Sequence, residues 1–441
     1  MLSWRIAAVG LLAVIPPAWG QGGNLSEMVK PGDCFQYTLD MKLNGELRIK
    51  KETGPATLKL RASASHAFTE RVLASTDATA SRAVRAYDIV KVSIEAGTDQ
   101  SERSLRPSRK MIVAQRYKDQ RLVYCPAGAL TRGELDAVGD HFDTLAVAGV
   151  LPGKELKPGE TWKISAATAQ ALCNLEGVTD SKLEGKFVKV EVDQATFAVT
   201  GTAKGVENGA MVTASIDAVG VYDLKSNRLT RLEWSQKDER DQGPVSPAST
   251  IQTRVVVSRK PIETPSELND VSTIGVPDGY TPPPAMTFVE YRDTKGRFAL
   301  FHPREWQLTA VTADHTVFRC LDRGDFIAQA TVSPWAKAEK GKHLEPEEFK
   351  KAMNNTSGWR PEREIQAESV PTTDGKYIYR LSVVGQLDGV QVLQNFFLIA
   401  NAEGDQAVLT FTMSPKNADK LGARDLSMAG GLELPAPQEK K

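Results

Sequence analysis

The sequence predicts an α+β fold: a long, curved antiparallel β-sheet with a covering helix, followed by a smaller α/β/α sandwich. Three observations lead there. Segments of alternating apolar and polar residues, joined by turn formers, fill residues 30–260, and period-2 alternation is the mark of half-buried strands. One capped stretch of helical periodicity, 131–149, interrupts them. After a proline-rich break, strands and helices alternate over 285–434.

The chain starts with Arg5, an apolar run from Ile6 to Ile15, the Pro16-Pro17 break and the small residues of Ala18-Trp19-Gly20. This is the layout of a secretory signal peptide over residues 1–20, so the expected location is periplasmic or extracellular. No cysteine follows the expected cleavage point, so no lipid anchor is expected, and no later apolar run reaches the length of a membrane-spanning helix.

From Cys34 the chain alternates, with Phe35, Tyr37, Leu39, Met41 and Leu43 on one face. Asn44-Gly45 follows, the pair that suits the two positive-φ positions of a type I′ hairpin turn. Further strands are expected at 57–73, 83–95, 109–116, 121–125, 185–193, 195–203, 210–222, 228–237 and 250–259, with hairpin turns at Asn208-Gly209 and Lys225-Ser226-Asn227. Thr131-Arg-Gly-Glu134 has the spacing of a capping box. Leu135, Val138, Phe142 and Leu145 then recur at helical spacing, and Leu151-Pro152-Gly153 ends the run.

The 261–284 stretch carries six prolines, three of them consecutive at Pro282-Pro283-Pro284, and reads as a semi-rigid linker. Beyond it, Arg297–His302 and Trp306–Thr309 read as short strands around a Pro303 turn. Pro346 opens a helix whose inner face carries Phe349, Ala352 and Met353. Tyr377–Gln386, the Asp388-Gly389 turn, Val390–Ala400 and Gln406–Met413 form a meander. Ser414-Pro415 starts a last helix, and residues 435–441 read as a disordered tail.

The segment Phe298-Ala-Leu-Phe-His-Pro-Arg-Glu-Trp306, with the closing helix ahead of Leu432–Leu434, resembles the PsbP/Mog1-like fold over about the last third of the chain. The resemblance implies an α/β/α sandwich and a non-catalytic binding or assembly role. Leu105-Arg-Pro-Ser-Arg109, Leu130-Thr-Arg-Gly-Glu-Leu-Asp136 and Leu151-Pro-Gly-Lys…Pro-Gly-Glu-Thr-Trp162 are similar to segments of uncharacterised secreted bacterial domains. A long curved sheet over a helix also resembles, in shape, the LolA/LppX lipoprotein carriers.

Composition narrows the function classes. Lys and Arg total 55, Asp and Glu total 55, and the formal charge is zero, so no basic excess points to nucleic acid. The five histidines, His66, His141, His302, His315 and His343, are scattered without zinc spacing. No G-x-S-x-G elbow and no glycine-rich phosphate loop occurs. Accordingly no catalytic residue, metal or cofactor is assigned.

Asp140-His141-x-Asp143 reads as a solvated polar face, because these positions do not share one side of a helix. Asp238, Glu239 and Asp241, in the densest polar run, and Trp335 and Trp359, after Pro334 and Gly358, are the candidate residues for a ligand or partner surface. Of the four cysteines, Cys34, Cys125, Cys173 and Cys320, the pair Cys125–Cys173 is the candidate disulfide, with buried free thiols as the alternative.

The resulting expectation is a secreted, non-catalytic binding or assembly protein of the bacterial envelope, its partner a protein or hydrophobic ligand. Two alternatives stand beside it. One is a carrier holding a hydrophobic ligand, lipid or lipoprotein, between the curved sheet and the 131–149 helix; an apolar cavity of a few hundred Å³ there favours it. The other is an unrecognised hydrolase built where His141 or His302 meets a carboxylate and a hydroxyl.

Overall fold

The computed structural model describes residues 22–51, 54–117, 120–139, 142–207, 209–243, 247–322 and 325–435. The expected signal peptide, Asp140-His141, Asn208 of one expected turn and all but Pro435 of the expected tail lie outside the described residues.

The α+β expectation is corrected. The chain is mostly β, 57% strand against 14% helix, in large open antiparallel sheets rather than a sheet plus a helix-covered sandwich. Among the described residues the longest helix is Pro346–Asn354, with nine residues. The apolar 3.6-residue pattern never runs far enough to make a helical layer. The 131–149 segment splits into a helix at Arg132–Val138 and a 3-10 turn at Thr144–Val150, with Gly139 between them closing the helix onto the Leu135 carbonyl. The last helix splits likewise into Ala418–Leu421 and Arg424–Gly430, where Gly422 takes φ +57°. The capping box is present: Thr131 accepts from the Glu134 amide, and the Glu134 carboxylate accepts from the Thr131 amide.

The N-terminal part is built on one thirteen-stranded sheet. Its spine runs 161–163, 184–191, 194–207, 210–223, 228–240, 248–262, 34–51, 54–76, 79–96, 111–117, 120–124. The join between its two halves is the ladder from Ala248↔Arg48 to Ile262↔Cys34. That ladder also removes an expected turn. Asn44 and Gly45 stand inside the Cys34–Lys51 strand, paired with Gln252 and Ile251 on one side and with Arg61 and Leu60 on the other. Gly45 has a packing reason instead, since a Cβ there would meet the Thr250 carbonyl at 2.6 Å.

Alternation gives the sheet two faces. Phe35, Tyr37, Leu39, Met41 and Leu43 point inward and are buried, while Gln36, Thr38, Asp40 and Lys42 point outward. The inner face packs against the two helices Arg132–Val138 and Ala166–Leu172 and the intervening 3-10 turn, in one apolar core that includes Leu135, Val138, Phe142, Leu145, Leu172, Phe197 and Trp234. The proline-rich 261–284 segment runs along the outer face. Leu268 is buried with Val84, Val113 and Tyr124, the Tyr280 ring stacks on Tyr117 at 5.0 Å, and Gln115 donates to the Tyr280 carbonyl at 2.7 Å.

The C-terminal part is a seven-stranded antiparallel sheet, ordered 306–311, 316–322, 325–335, 406–413, 390–400, 377–387, 359–369. Asp388 and Gly389, both at positive φ, turn the hairpin between 377–387 and 390–400 as expected. Its two faces carry separate apolar clusters, one including Trp306, Phe411 and Met428, the other Phe349, Trp359 and Phe396. A small four-stranded sheet, ordered Leu432–Glu433, Ala299–His302, Val289–Arg292, Leu130–Thr131, joins the two parts. Its last strand belongs to the N-terminal part and pairs in parallel with Val289–Glu290.

Candidate functional site

The inner face of the large sheet is not filled everywhere. Small side chains line up on one rung pair: Met41↔Ala64↔Val92 and Leu43↔Ala62↔Ile94. Two alanines where neighbouring rungs carry Phe68 and Tyr87 leave space that the Arg132–Val138 helix roofs without filling. The result is a cavity of about 280 Å³, with Met41, Ala64, Val92 and Ile94 on the sheet side and Ala137 and Phe142 on the roof side. Its walls are mostly apolar, with His66, Arg103 and Asp136 also on the lining, and its volume is near the lower end for a small-molecule site.

Two polar features mark it. His66 lines the wall, buried, with its ring edge-on to Tyr87 at 5.9 Å. Arg103 and Asp136, both part-exposed, form an ion pair at 2.6 Å on the lining. A larger depression of about 790 Å³ lies on the outer face, lined by Lys42, Ser63, Ser65, Lys91, Glu102 and Arg254 among others. Those are solvated side chains on an open surface, so the smaller apolar cavity is the better-formed binding site.

The roof is anchored by ionic contacts. Arg106 donates through Nε and Nη2 to the two Glu134 oxygens at 2.7 Å each, and through Nη2 to Glu290 Oε2 at 2.9 Å. Burial alone would raise the Glu134 carboxyl, but hydrogen bonds from Arg106 and the Thr131 amide hold it below the ordinary carboxylate value. Asp143 stands at the other end of the roof. It was expected on a solvated face, yet it is 1% exposed, caps the 3-10 turn through the Leu145 amide and is paired with Arg116. Burial raises its carboxyl, and the Arg121 and Arg116 charges outweigh this and lower it.

The sequence-selected residues do not form one site. Asp238 and Glu239 point to opposite faces of their strand. Asp238 faces inward, accepting from Gln236 at 2.9 and 3.0 Å; burial, and then the nearby Glu207 charge, raise its carboxyl to about 6 against the Gln236 hydrogen bond. Glu239 is exposed and paired with Lys237 at 2.7 Å. Asp241 lies just past the strand end, its amide bonded to the Met211 carbonyl. Trp359, expected on a surface loop, is instead 5% exposed, with its ring against Phe396. The positive φ of Gly358 turns the chain so that Trp359 points inward. Trp335 ends a strand, half-buried against the same cluster. None of these five residues lines the cavity.

Cys125 and Cys173 sit in the same core cluster as buried free thiols, with no bridge between them, and Cys34 and Cys320 are free and buried too. Burial pushes the Cys320 thiol up to about 11 and raises that of Cys125. His302 is buried, its Nδ1 against the Pro303 carbonyl at 2.8 Å; burial lowers it to about 4, so it is neutral at pH 7. His141 lies outside the described residues. Among the described residues no group of three or more His, Cys, Asp and Glu side chains is placed to hold a metal ion, and no helix is long and apolar enough to cross a membrane.

Sequence reasoning missed Ala62, Ala64, His66 and Arg103. The signal was present as Ala62-x-Ala64-x-His66 on inward positions of a strand that carries Leu58 and Leu60 before them and Phe68 after them. It acquires meaning only once the register opposite Val92 and Ile94 is known.

No protein-family model matches the chain, and no curated protein matches it. Among solved structures it is similar to cyanobacterial PsbP from Synechocystis sp. PCC 6803, at 18% identity over 36% of this chain and 98% of that one, TM-score 0.27. It is also similar to the translocator domain of the autotransporter NalP from Neisseria meningitidis, at 6% identity over 86% and 87% of the two chains, TM-score 0.12. OccAB4 from Acinetobacter baumannii is similar at 9% identity over 87% and 97%, TM-score 0.12. At such TM-scores none of these likenesses assigns a fold or a function.

Proposed function

We propose that this is a non-catalytic binding protein working outside the cytoplasm, which carries a hydrophobic ligand in the cavity between its large sheet and the Arg132–Val138 helix. The observation behind the reading is that cavity of about 280 Å³, walled by Met41, Ala64, Val92, Ile94 and Phe142. An acyl chain or similar group seated there would take this apolar wall out of water, at roughly 25 cal/mol per Å² of apolar surface buried. The secretory pattern of residues 1–20 supports the location. The Phe298–Trp306 segment supports reading the C-terminal part as PsbP-like and partner-binding.

The test is a fluorescence titration with N-phenyl-1-naphthylamine, followed by competition with saturated fatty acids of increasing chain length. Wild type is expected to bind the probe. Val92→Phe and Ala137→Phe, which fill the hollow from opposite sides, are expected to weaken binding by about tenfold or more. Absence of binding by wild type, or unchanged binding by both filled variants, refutes the reading.

A further inference from the structure

The cavity's roof is held from both halves of the molecule: Arg103 pairs with Asp136 and the N-terminal core takes Leu135 and Val138, while the C-terminal part grips the start of the helix. Arg132–Val138 begins directly after Leu130–Thr131, and that strand pairs in parallel with Val289–Glu290 of the C-terminal part. Arg106 grips Glu134 inside the roof helix and Glu290 across the junction with the same Nη2 atom. Arg132, the first helical residue, donates to the Arg304 carbonyl at 3.2 Å and to Gln307 Oε1 at 3.0 Å. Arg304 in turn donates to the Val123 carbonyl and the Thr287 carbonyl, each at 2.7 Å. Glu134 and Glu290 are both buried, so this junction is a desolvated charge cluster and not a surface contact. The roof helix itself is seven residues long and makes few turns of its own. A helix so short has little stability apart from what holds it.

We infer that the C-terminal part controls access to the cavity: its contact with Leu130–Glu134 holds the roof helix down, and loosening that contact opens the hollow. This rests on the reading of the cavity as a ligand site. A partner that engages the C-terminal part and draws Val289–Arg292 away would thereby promote loading or release. The physical coupling has two arms, Gln307 bonded to Arg132 at the start of the helix and Glu290 linked through Arg106 to Glu134, with Ala137, in the cavity wall, one turn further along the same helix.

The test uses the full-length protein in three variants: Glu290→Gln, Arg132→Ala and, as a remote control, Glu239→Gln. Hydrogen exchange of the 132–139 amides is measured without ligand, with the 194–223 strands as an internal check on folding. Stopped-flow release of N-phenyl-1-naphthylamine is measured alongside. Expected for Glu290→Gln and Arg132→Ala is about tenfold faster exchange at 132–139 and a comparable rise in probe release, with the strands unchanged. The control is expected to match wild type.

Unchanged exchange at 132–139 in both variants overturns the inference. So does faster exchange with unaltered release of a probe that Val92→Phe shows to be in the cavity. If wild type binds no probe, the ligand reading fails, and access control falls with it. The exchange data then still decide whether the junction holds the roof.

Discussion

Replacing Arg106 by Ala removes charge-assisted hydrogen bonds to both Glu134 oxygens and to Glu290, as well as one to the Ala129 carbonyl. Breaking a buried ion pair by deleting one partner costs roughly 3–5 kcal/mol, because the orphaned charge stays desolvated. Here the loss is cushioned. Glu134 keeps the backbone amides of residue 106 and Thr131, at 3.0 and 2.8 Å, and Glu290 keeps its ion pair with Arg292. The Arg106 side chain is also 18% exposed. The expected loss is therefore about 3 kcal/mol, toward the low end of that range. Arg106→Lys recovers only part of it, since a single ammonium cannot span both carboxylates in the bidentate fashion.

The assay is urea unfolding of wild type and both variants, followed by tryptophan fluorescence and by circular dichroism, since a chain with two large sheets need not unfold in one step. The pH dependence provides a second readout. The Glu134 carboxyl is lowered in the fold, so its contribution is full above the ordinary value of 4.5 and is lost as pH falls through the lowered folded value. The penalty of Arg106→Ala must shrink in that acid range. A loss under about 1 kcal/mol at pH 7, or one that does not diminish in acid, refutes the assignment of Arg106 as the joint between the two parts.

Three further outcomes are expected. Asp238 is raised from 3.8 to about 6, so the stability linked to it is full below 3.8 and lost as pH rises through 6. Asp238→Asn should therefore raise the melting temperature at pH 7.5, by an equivalent of about 1–2 kcal/mol after allowance for partial exposure, with no gain below pH 4; equal gains at both pH values would contradict the burial argument. Gly220→Ala places a Cβ at 2.1 Å from the buried Phe197 ring, across the Phe197↔Gly220 pair, and should destabilise by about 2 kcal/mol in chemical denaturation, whereas a neutral result would mean that the ring can shift. Thiol titration with Ellman's reagent should label four cysteines in denaturant without reductant and essentially none in the native protein, because all four are buried and free; two labelled thiols would restore a bridge such as Cys125–Cys173.

Much of the local structure was legible. Thr131-x-x-Glu134 capped a helix, Asp388-Gly389 turned a hairpin, and the alternation from Phe35 to Leu43 fell on the buried face. In each case the chemistry involved lies within a few residues of chain. Asn44-Gly45 failed for the complementary reason. Its turn propensity is worth little beside hydrogen-bonded neighbours on both sides, supplied by residues about 200 and about 16 positions away. Asp143 failed similarly, since its partners Arg116 and Arg121 come from strands that nothing in the local sequence ties to it. Helix was over-weighted because apolar spacing announces a helical face but not its length, and Gly139 and Gly422 cut both runs short.

The sequence alone, then, determined where strands and caps form and which side of each strand is apolar, because backbone sterics, side-chain alternation and capping act over short spans. Tertiary structure decided the rest. The register that sets Ala62 and Ala64 opposite Ile94 and Val92 creates the cavity. The approach of Arg106, Glu134 and Glu290 from three separate segments joins its roof to the C-terminal part. Both depend on contacts between residues far apart in the chain, and side-chain identity gains its role only when long-range pairing brings such residues within hydrogen-bonding or van der Waals distance.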